Sequence, residues 1–563
     1  MKHQSETKGF TILSIASVIN KLLGLLYVPF LTLILGNVGN GIYDAGYKIY
    51  QLVFMITNAG IPVAISKLIS EQAAVSRYDL SHKTLKVSGG LLAAIGALLS
   101  IIIAVFARQF SVMIGFPESY MTILALSPTL LFTSISCAFR GYFQGRSNMV
   151  PTSISQVIEQ GVNTVFTVLF AWIMYRYGTN YAVSHGITGE AEIRLEAVKF
   201  AAAGGTVGTS LGALTSALYL CRVYIKNKAE IVAEVIESSR SGQFIDSTKM
   251  ILKKIFRYAV PITLGAVAIY TASLIDLRFT KSQLIAGGFS EIDATGLYGI
   301  LSTQYLKVLF IPITFATALA TTILPSVSAA SARNDGGLLH KRIYKSIKLI
   351  LMIAVPSAVG LTVLAKPIIY SIFPQSPDGW DLLMVGSWTL ILISLVSIQT
   401  AILQGMGKTY VPTIHMAIGL VLKVFVNYNL IVIPSVNIKG AIAGSAVCYG
   451  FAAFMNYRSI KKLTGVRLSV KRLFNRPLTV SVVMGVLVFL IYHGLTLMTD
   501  WLIKSPFLQN IICTAISIGA GALIYYLLMI VARGITEDEI RSFPKGDLIL
   551  EITRKIPYME RFI

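Results

Sequence analysis

The chain has 563 residues, 55% of them hydrophobic and only 13% charged, with a mean hydropathy of +0.71. A soluble domain carries about a quarter charged residues, so this composition excludes a water-soluble class and indicates a polytopic membrane protein. The formal net charge of +22 would suit a nucleic-acid binder, but the basic residues collect in short loops of one parity, the positive-inside bias of a membrane protein.

Apolar windows long enough to cross about 30 Å of hydrocarbon predict helices near 10–35, 43–74, 87–107, 119–143, 152–176, 197–224 and 254–280. Further windows lie near 297–329, 345–373, 381–404, 411–434, 440–459, 477–498 and 508–533. About fourteen spans result, in runs too long and too unalternating for barrel strands. The polar start MKHQSETKGF runs into the first window without a small-residue cleavage site, so that window reads as an uncleaved span. One set of loops holds Arg77, Lys83 and Lys86, then Arg140 and Arg146, then Lys226 to Lys254, and later Arg458 to Arg472. The other set, such as NVGNG (37–41) and GFPES (115–119), is sparse in charge. Both termini are therefore expected in the cytosol, in keeping with an even number of spans.

Several charges fall inside the apolar runs. Lys21 lies about eleven residues into the first window, roughly 16 Å at 1.5 Å per residue, near mid-bilayer. A charge there costs about 2.5–3.5 kcal/mol on insertion scales, so it either serves a substrate or is satisfied by carbonyls of the bundle. Lys307, about ten residues into the eighth window, poses the same choice. Lys48 is only about six residues from the outer end of the second window, from which a lysine stem can snorkel. Asp276 and Arg278 close the seventh, as a gate of an outer vestibule or as a weak interfacial pair. Gln156, Glu159 and Asn163 make one polar stripe on the fifth; Glu159 is a candidate for ion coupling, with a structural partner such as Arg140 or Arg146 as the alternative. Lys423 and Asn427 sit one turn apart on the eleventh, again a gating or coupling candidate. Gly24, Pro29, Gly60, Pro62, Pro261, Gly265 and Pro312 interrupt the first, second, seventh and eighth helices, as bending points or as sites of close packing.

Enzyme signatures are absent: no GxxxxGK[ST], no HExxH, and no close carboxylate pair inside the membrane. The four cysteines, Cys137, Cys221, Cys448 and Cys513, are isolated, which indicates neither a disulfide framework nor a zinc site. No cofactor or metal is expected.

The polar stretch 226–253 separates six predicted helices from six, with two more to follow. SISCAFRGYFQGRSNMVPT (134–152) is similar to SLVSIQTAILQGMGKTYVPT (394–413), GFPES (115–119) to IFPQS (372–376), and GIYDAGYKIYQLVF (41–54) loosely to GLYGILSTQYLKVLF (296–310). The common offset predicts parallel six-helix repeats with a cavity between them, a plan used by transporters. The expected organisation is a first bundle over 1–225, a cytosolic linker over 226–253, a second bundle over 254–462, and two additional helices with a cytosolic tail over 463–563.

These repeats, with INKLLGLLYVPF (19–30), GIPVAISKLISE (60–71) and TTILPSVSAAS (321–331), resemble the MurJ/SpoVB/YtgP branch of the multidrug/oligosaccharidyl-lipid/polysaccharide (MOP) exporter superfamily, bacterial flippases for the lipid-linked peptidoglycan precursor. The resemblance implies an all-α fold with a cationic central cavity lined by helices 1, 2, 7 and 8. It implies a non-enzymatic flippase that carries lipid II, an undecaprenyl-pyrophosphate-linked glycan, from the cytosolic to the outer leaflet by alternating access. It places the chain in peptidoglycan and polysaccharide biosynthesis, cell-wall biogenesis and cell shape, as a multi-pass monomer in the bacterial cell membrane whose partners are the lipid-linked oligosaccharide and membrane lipids, not nucleic acid. The branch's first-helix pattern is matched by Asn20, Lys21, Leu23 and Gly24, and its eighth-helix base before a proline by Lys307 and Pro312. Both places hold Lys where Arg is frequent, a point charge without the bidentate fork. Substrate contact is thereby expected of Lys21, Lys307, Lys48 and Arg278, the last two without a matching motif. Some relatives bind sodium through helices 7 and 11; here Lys423 stands ready to supply that positive charge. The alternatives are a flippase for another lipid-linked polysaccharide precursor and a MATE-like cation-coupled drug antiporter.

Overall fold

The computed structural model describes residues 16–537 and 550–553, apart from 18, 240–245, 334, 467–469 and 552. Among the described residues every ordered segment is helical and no strand occurs. The chain forms two compact units, Met1–Ile285 with Phe289–Gly299, and Ala286–Gly288 with Ile300–Ile563.

The first unit begins with a helical stretch at 19–26. It continues with α1 (Val28–Asn58), α2 (Ile61–Ala74), α3 (Tyr78–Val105), α4 (Ala107–Met113), a 3₁₀ turn (Pro117–Ser119), α5 (Tyr120–Leu126) and α6 (Thr129–Gly145). The long helices α7 (Val150–Ser184) and α8 (Glu190–Lys226) follow, then α9 (Lys228–Ser239), α10 (Thr248–Ala286) and α11 (Glu291–Gly299). Gly204, Gly208 and Gly212 of α8, four residues apart, form a stripe against α7: an added Cβ would run into Phe170, Thr167 and Glu159 backbone atoms respectively. Small residues at this spacing let two helices approach closely where lipid offers no hydrophobic drive.

The most consequential break lies at Gly36, whose φ of +61° is non-helical inside α1. Only glycine takes that backbone region readily. Residues sixteen apart on one straight helix would be about 24 Å apart, yet Tyr27 and Tyr43 belong to one packed hydrophobic cluster. The chain therefore doubles back at Gly36, and the expected loop at 37–41 is itself helical. A second break at Ala59 and Gly60 separates α1 from α2, with the carbonyl of Ala259 in α10 where a Cβ on Gly60 would sit. Bending and close packing coincide there. For Pro261 and Gly265 the side-chain environment lies outside the described residues.

The stretch expected as a linker is helical over α9 and docks on the first unit. Ile231 is buried, Arg146 pairs with Glu234 at 2.7 Å, and the Asp79 amide donates to Ser238 at 2.9 Å.

The second unit opens with a π-helical turn (Ile300–Tyr305) leading into α12 (Leu306–Ala332). It continues with α13 (Gly336–Val363), α14 (Ala365–Ile372), α15 (Trp380–Gly386), α16 (Thr389–Gly405), α17 (Tyr410–Leu430), α18 (Lys439–Thr464), α19 (Val470–Thr499) and α20 (Pro506–Val531). Among the described residues 8 helices are long and apolar enough to cross a membrane, or up to 10 with the two bent pairs, 117–145 and 380–405. The helices α8 and α18 fall short of that measure because polar and small residues dilute them, and α10 includes residues outside the described set. The first expected span falls partly outside the described residues, and Val28–Ala74 is one continuous stretch in that count although it turns at Gly36.

Candidate functional site

In the first unit the turn at Gly36 sets two lysines at similar heights. Lys21 lies fifteen residues before it and Lys48 twelve after it, about 22 and 18 Å along the helices. Lys21 is exposed and Lys48 half-buried. The helix expected to start at 43 starts directly after Gly36, so Lys48 is deeper along its helix than the sequence suggested. It is held there rather than splayed outward: its ammonium donates to Ser273 Oγ of α10 at 2.9 Å. Beside it, Tyr43, Tyr47, Tyr50 and Phe54 form a run of ring contacts along α1 at 5.4 to 6.0 Å between centroids, the first pair stacked and the others tilted. Tyr298 of α11 donates to Asp44 at 2.8 Å.

The part of α10 around Arg278 is fastened to the C-terminal end of α4. Arg278 is exposed, and its guanidinium donates to the carbonyls of Val112 and Met113 at 3.2 and 2.6 Å. The pairing with Asp276 considered from sequence is thus replaced by a clamp on backbone. One turn on, Lys281 is only 2% exposed, 3.8 Å from Glu118 and 4.3 Å from the Phe116 ring centroid. Nothing in the sequence marked Ser273, Tyr298 or Lys281, because each acts through residues 163 to 254 positions away. The aromatic stripe at 43, 47, 50 and 54 was the readable signal.

Glu159 has a partner in Arg140, at 2.5 Å, and the same guanidinium reaches Ser216 at 2.9 Å and Ser155 at 3.1 Å. The stripe's third member, Asn163, accepts from Thr167 at 2.9 Å and Thr209 at 3.1 Å. This network knits α6, α7 and α8 together.

In the second unit Lys307 is half-buried and follows the π turn directly. Such turns widen a helix locally and recur at functional positions. The turn is anchored on both sides. Buried Gln304 donates to the Ser376 carbonyl at 2.8 Å and accepts from the Gly379 amide at 2.7 Å, and the Tyr305 hydroxyl donates to the Gly386 carbonyl at 3.1 Å. Lys423 and Asn427 share one face of α17. Asn427 is fully buried against Gly444 of α18, where a side chain would collide with its amide oxygen, and the Lys423 stem passes the same glycine. Among the described residues no group of three His, Cys, Asp or Glu side chains forms a metal site.

Comparison with known proteins is consistent along the whole chain. The sequence profile of the polysaccharide biosynthesis protein family matches residues 7–331. The lipid II flippase MurJ of Bacillus subtilis (strain 168) is 26% identical over 535 residues, covering 92% of this chain and 94% of its own. Stage V sporulation protein B of the same organism is 24% identical over 548 residues, covering 97% and 98%. A solved inward closed conformation of lipid II flippase MurJ superposes with a TM-score of 0.63 at 15% identity, over 92% of this chain and 98% of that one. The chain belongs to the polysaccharide biosynthesis protein family, as a MurJ/SpoVB-like member of the MOP superfamily of membrane transporters.

Proposed function

We propose that this protein is a flippase for lipid II, moving the undecaprenyl-pyrophosphate-linked peptidoglycan precursor from the cytosolic to the outer leaflet of the bacterial cell membrane. The observation that carries the reading is the end-to-end similarity to a lipid II flippase, 26% over 92% of the chain. The side chains supply the chemistry. A pyrophosphate bears about two negative charges and cannot shed its water in hydrocarbon without replacement contacts. Lysines at bilayer depth, Lys21 and Lys48 in one unit and Lys307 in the other, replace that water with charge-assisted hydrogen bonds. Arg278, already clamped to backbone, acts in this reading on the outer closure rather than on the substrate. The polyprenyl tail stays in lipid, and α19 and α20, outside the two repeats, offer it an apolar surface. Without a nucleotide-binding motif, the membrane potential or an ion gradient drives the cycle. The protein works as a monomer with both termini in the cytosol.

The test is depletion of this protein in cells lacking every other flippase. Lipid II accumulates on the cytosolic side and a known flippase restores its turnover. Normal precursor turnover under depletion overturns the reading. Accumulation of a different lipid-linked glycan redirects it to another polysaccharide precursor.

A further inference from the structure

The second unit contains a cavity of about 630 Å³ that the translocation described above does not use. It lies where the last turns of α19, the first turns of α20, α14 and the stretch 377–380 come together. Its size falls within the range of about 300–1,000 Å³ typical of small-molecule pockets.

One wall is cross-braced by a buried polar residue. Asn510, 6% exposed, donates to the Pro367 carbonyl at 3.0 Å and to Ser371 Oγ at 2.7 Å, and accepts from the Tyr492 hydroxyl at 2.6 Å. A satisfied network of this kind rigidifies the site it lines. Three ionisable side chains complete the lining. Lys366 makes no hydrogen bond or ion pair among the described residues. His493 gives Nδ1–H to the Phe489 carbonyl at 2.9 Å, which leaves Nε2 as its remaining polar atom. Asp378 accepts from Ser376 at 2.7 Å, and a carboxylate takes several donors at once. The cavity lining thus includes a cation and an anion among aromatic side chains.

Depth narrows the ligand. Both α19 and α20 are long and apolar enough to span the membrane. Asn510 is four residues inside the start of α20, and His493 six residues before the end of α19, about 6 and 9 Å. Trp380 and Tyr492 line the cavity, and Trp501, 81% exposed, tips the connecting hairpin. Trp and Tyr collect where the hydrocarbon meets water, the depth at which phospholipid phosphates lie.

We propose that this cavity binds the head group of a membrane phospholipid whose terminal group can donate a hydrogen bond, phosphoethanolamine or phosphoglycerol. The phosphodiester sits at Lys366 and His493, and the terminal ammonium or hydroxyl donates to Asp378. A bound lipid of this kind fills the space between α14 and the α19–α20 hairpin and fixes that hairpin on the second unit.

The test uses the full-length purified protein, delipidated in detergent, and native mass spectrometry. Phosphatidylethanolamine, phosphatidylglycerol, phosphatidylcholine and inorganic phosphate are added separately. One retained phosphatidylethanolamine or phosphatidylglycerol is expected, with at least tenfold weaker retention of phosphatidylcholine, whose head group has no donor. Lys366→Glu and Asp378→Ala should each lower retention tenfold, and Lys366→Arg should restore it; both positions lie on the cavity lining, so folding is checked by unchanged elution and melting temperature. Equal retention in Lys366→Glu, no discrimination against phosphatidylcholine, or retention of inorganic phosphate without lipid each overturns the proposal.

Discussion

Lys48 Nζ donates to Ser273 Oγ at 2.9 Å, joining α1 to α10 within the first unit. A hydrogen bond from a charged group contributes about 1.5–3 kcal/mol, so the contact has a structural worth that must be separated from any role toward substrate. Ser273→Ala removes the bond and keeps the charge; Lys48→Met keeps the stem and removes the charge. Precursor flux should stay within about twofold in the first and fall at least tenfold in the second, equivalent to a loss of about 1.4 kcal/mol of transition-state stabilisation. Equal losses would show that Lys48 serves packing.

Lys21 and Lys307 carry the stronger substrate expectation, since a base at bilayer depth is retained for function rather than stability. Lys21→Ala and Lys307→Ala should each abolish complementation of a flippase-depleted strain with expression unchanged. Lys→Arg at either position should restore it, because Arg is frequent there in the resembling branch. Full complementation by both alanine variants would remove these residues from the site.

Gly60 supplies a purely steric prediction. A Cβ there would occupy the space of the Ala259 carbonyl and crowd Thr263 Oγ1. Backbone cannot move aside as a flexible side chain can, so Gly60→Ala should cost about 1–3 kcal/mol, the usual toll of overpacking. The check is a lowered melting temperature in detergent, with Gly90→Ala, where nothing lies within 4 Å of the added carbon, as the unaffected control.

What the sequence revealed divides along physical lines. Membrane class, the long apolar helices and the recurrence of motifs between the halves are local or periodic properties, and they were readable. The turn at Gly36 was misplaced because NVGNG has the composition of a loop, while its helical state rests on tertiary packing of Leu31, Leu35, Ile42 and Tyr43 against α7 and α8. Lys48 looked shallow for the same reason. Arg140 and Arg146 were both offered as partners for Glu159, being the nearby bases, and Arg140 is the one that pairs while Arg146 meets Glu234. Ser273 and Lys281 carried no such constraint, as a serine or lysine near a helix end has many uses.

The Arg140–Glu159 pair distinguishes bracing from ion coupling. Its side chains are 15% and 28% exposed, and Arg140 also holds Ser155 and Ser216. If the pair braces α6 and α7, Glu159→Gln should destabilise by about 1–3 kcal/mol, because Arg140 loses its counter-charge. The double variant Arg140→Leu/Glu159→Leu should recover part of that loss, and both should transport with an unchanged ion dependence. A thermally normal Glu159→Gln variant with altered ion dependence would instead assign Glu159 to coupling.

Lys423 bears on the driving force. It shares a face of α17 with fully buried Asn427, and both pack on Gly444, where the absence of a side chain makes room for them. An ammonium beside Asn427 would repel a sodium ion in the same space, since like charges a few ångströms apart in a poorly screened interior interact by several kcal/mol. In the proposed mechanism Lys423 supplies, among α17 and α18, the positive charge that a bound cation would supply. Flux in the native protein should then be equal in sodium and in choline media, while Lys423→Ala should lose flux in choline and regain part of it at high sodium. Gly444→Ala should lose flux in both, because it displaces Asn427 without touching the charge. A Lys423→Ala variant indistinguishable from the native protein in sodium-free medium would remove the lysine from the coupling mechanism.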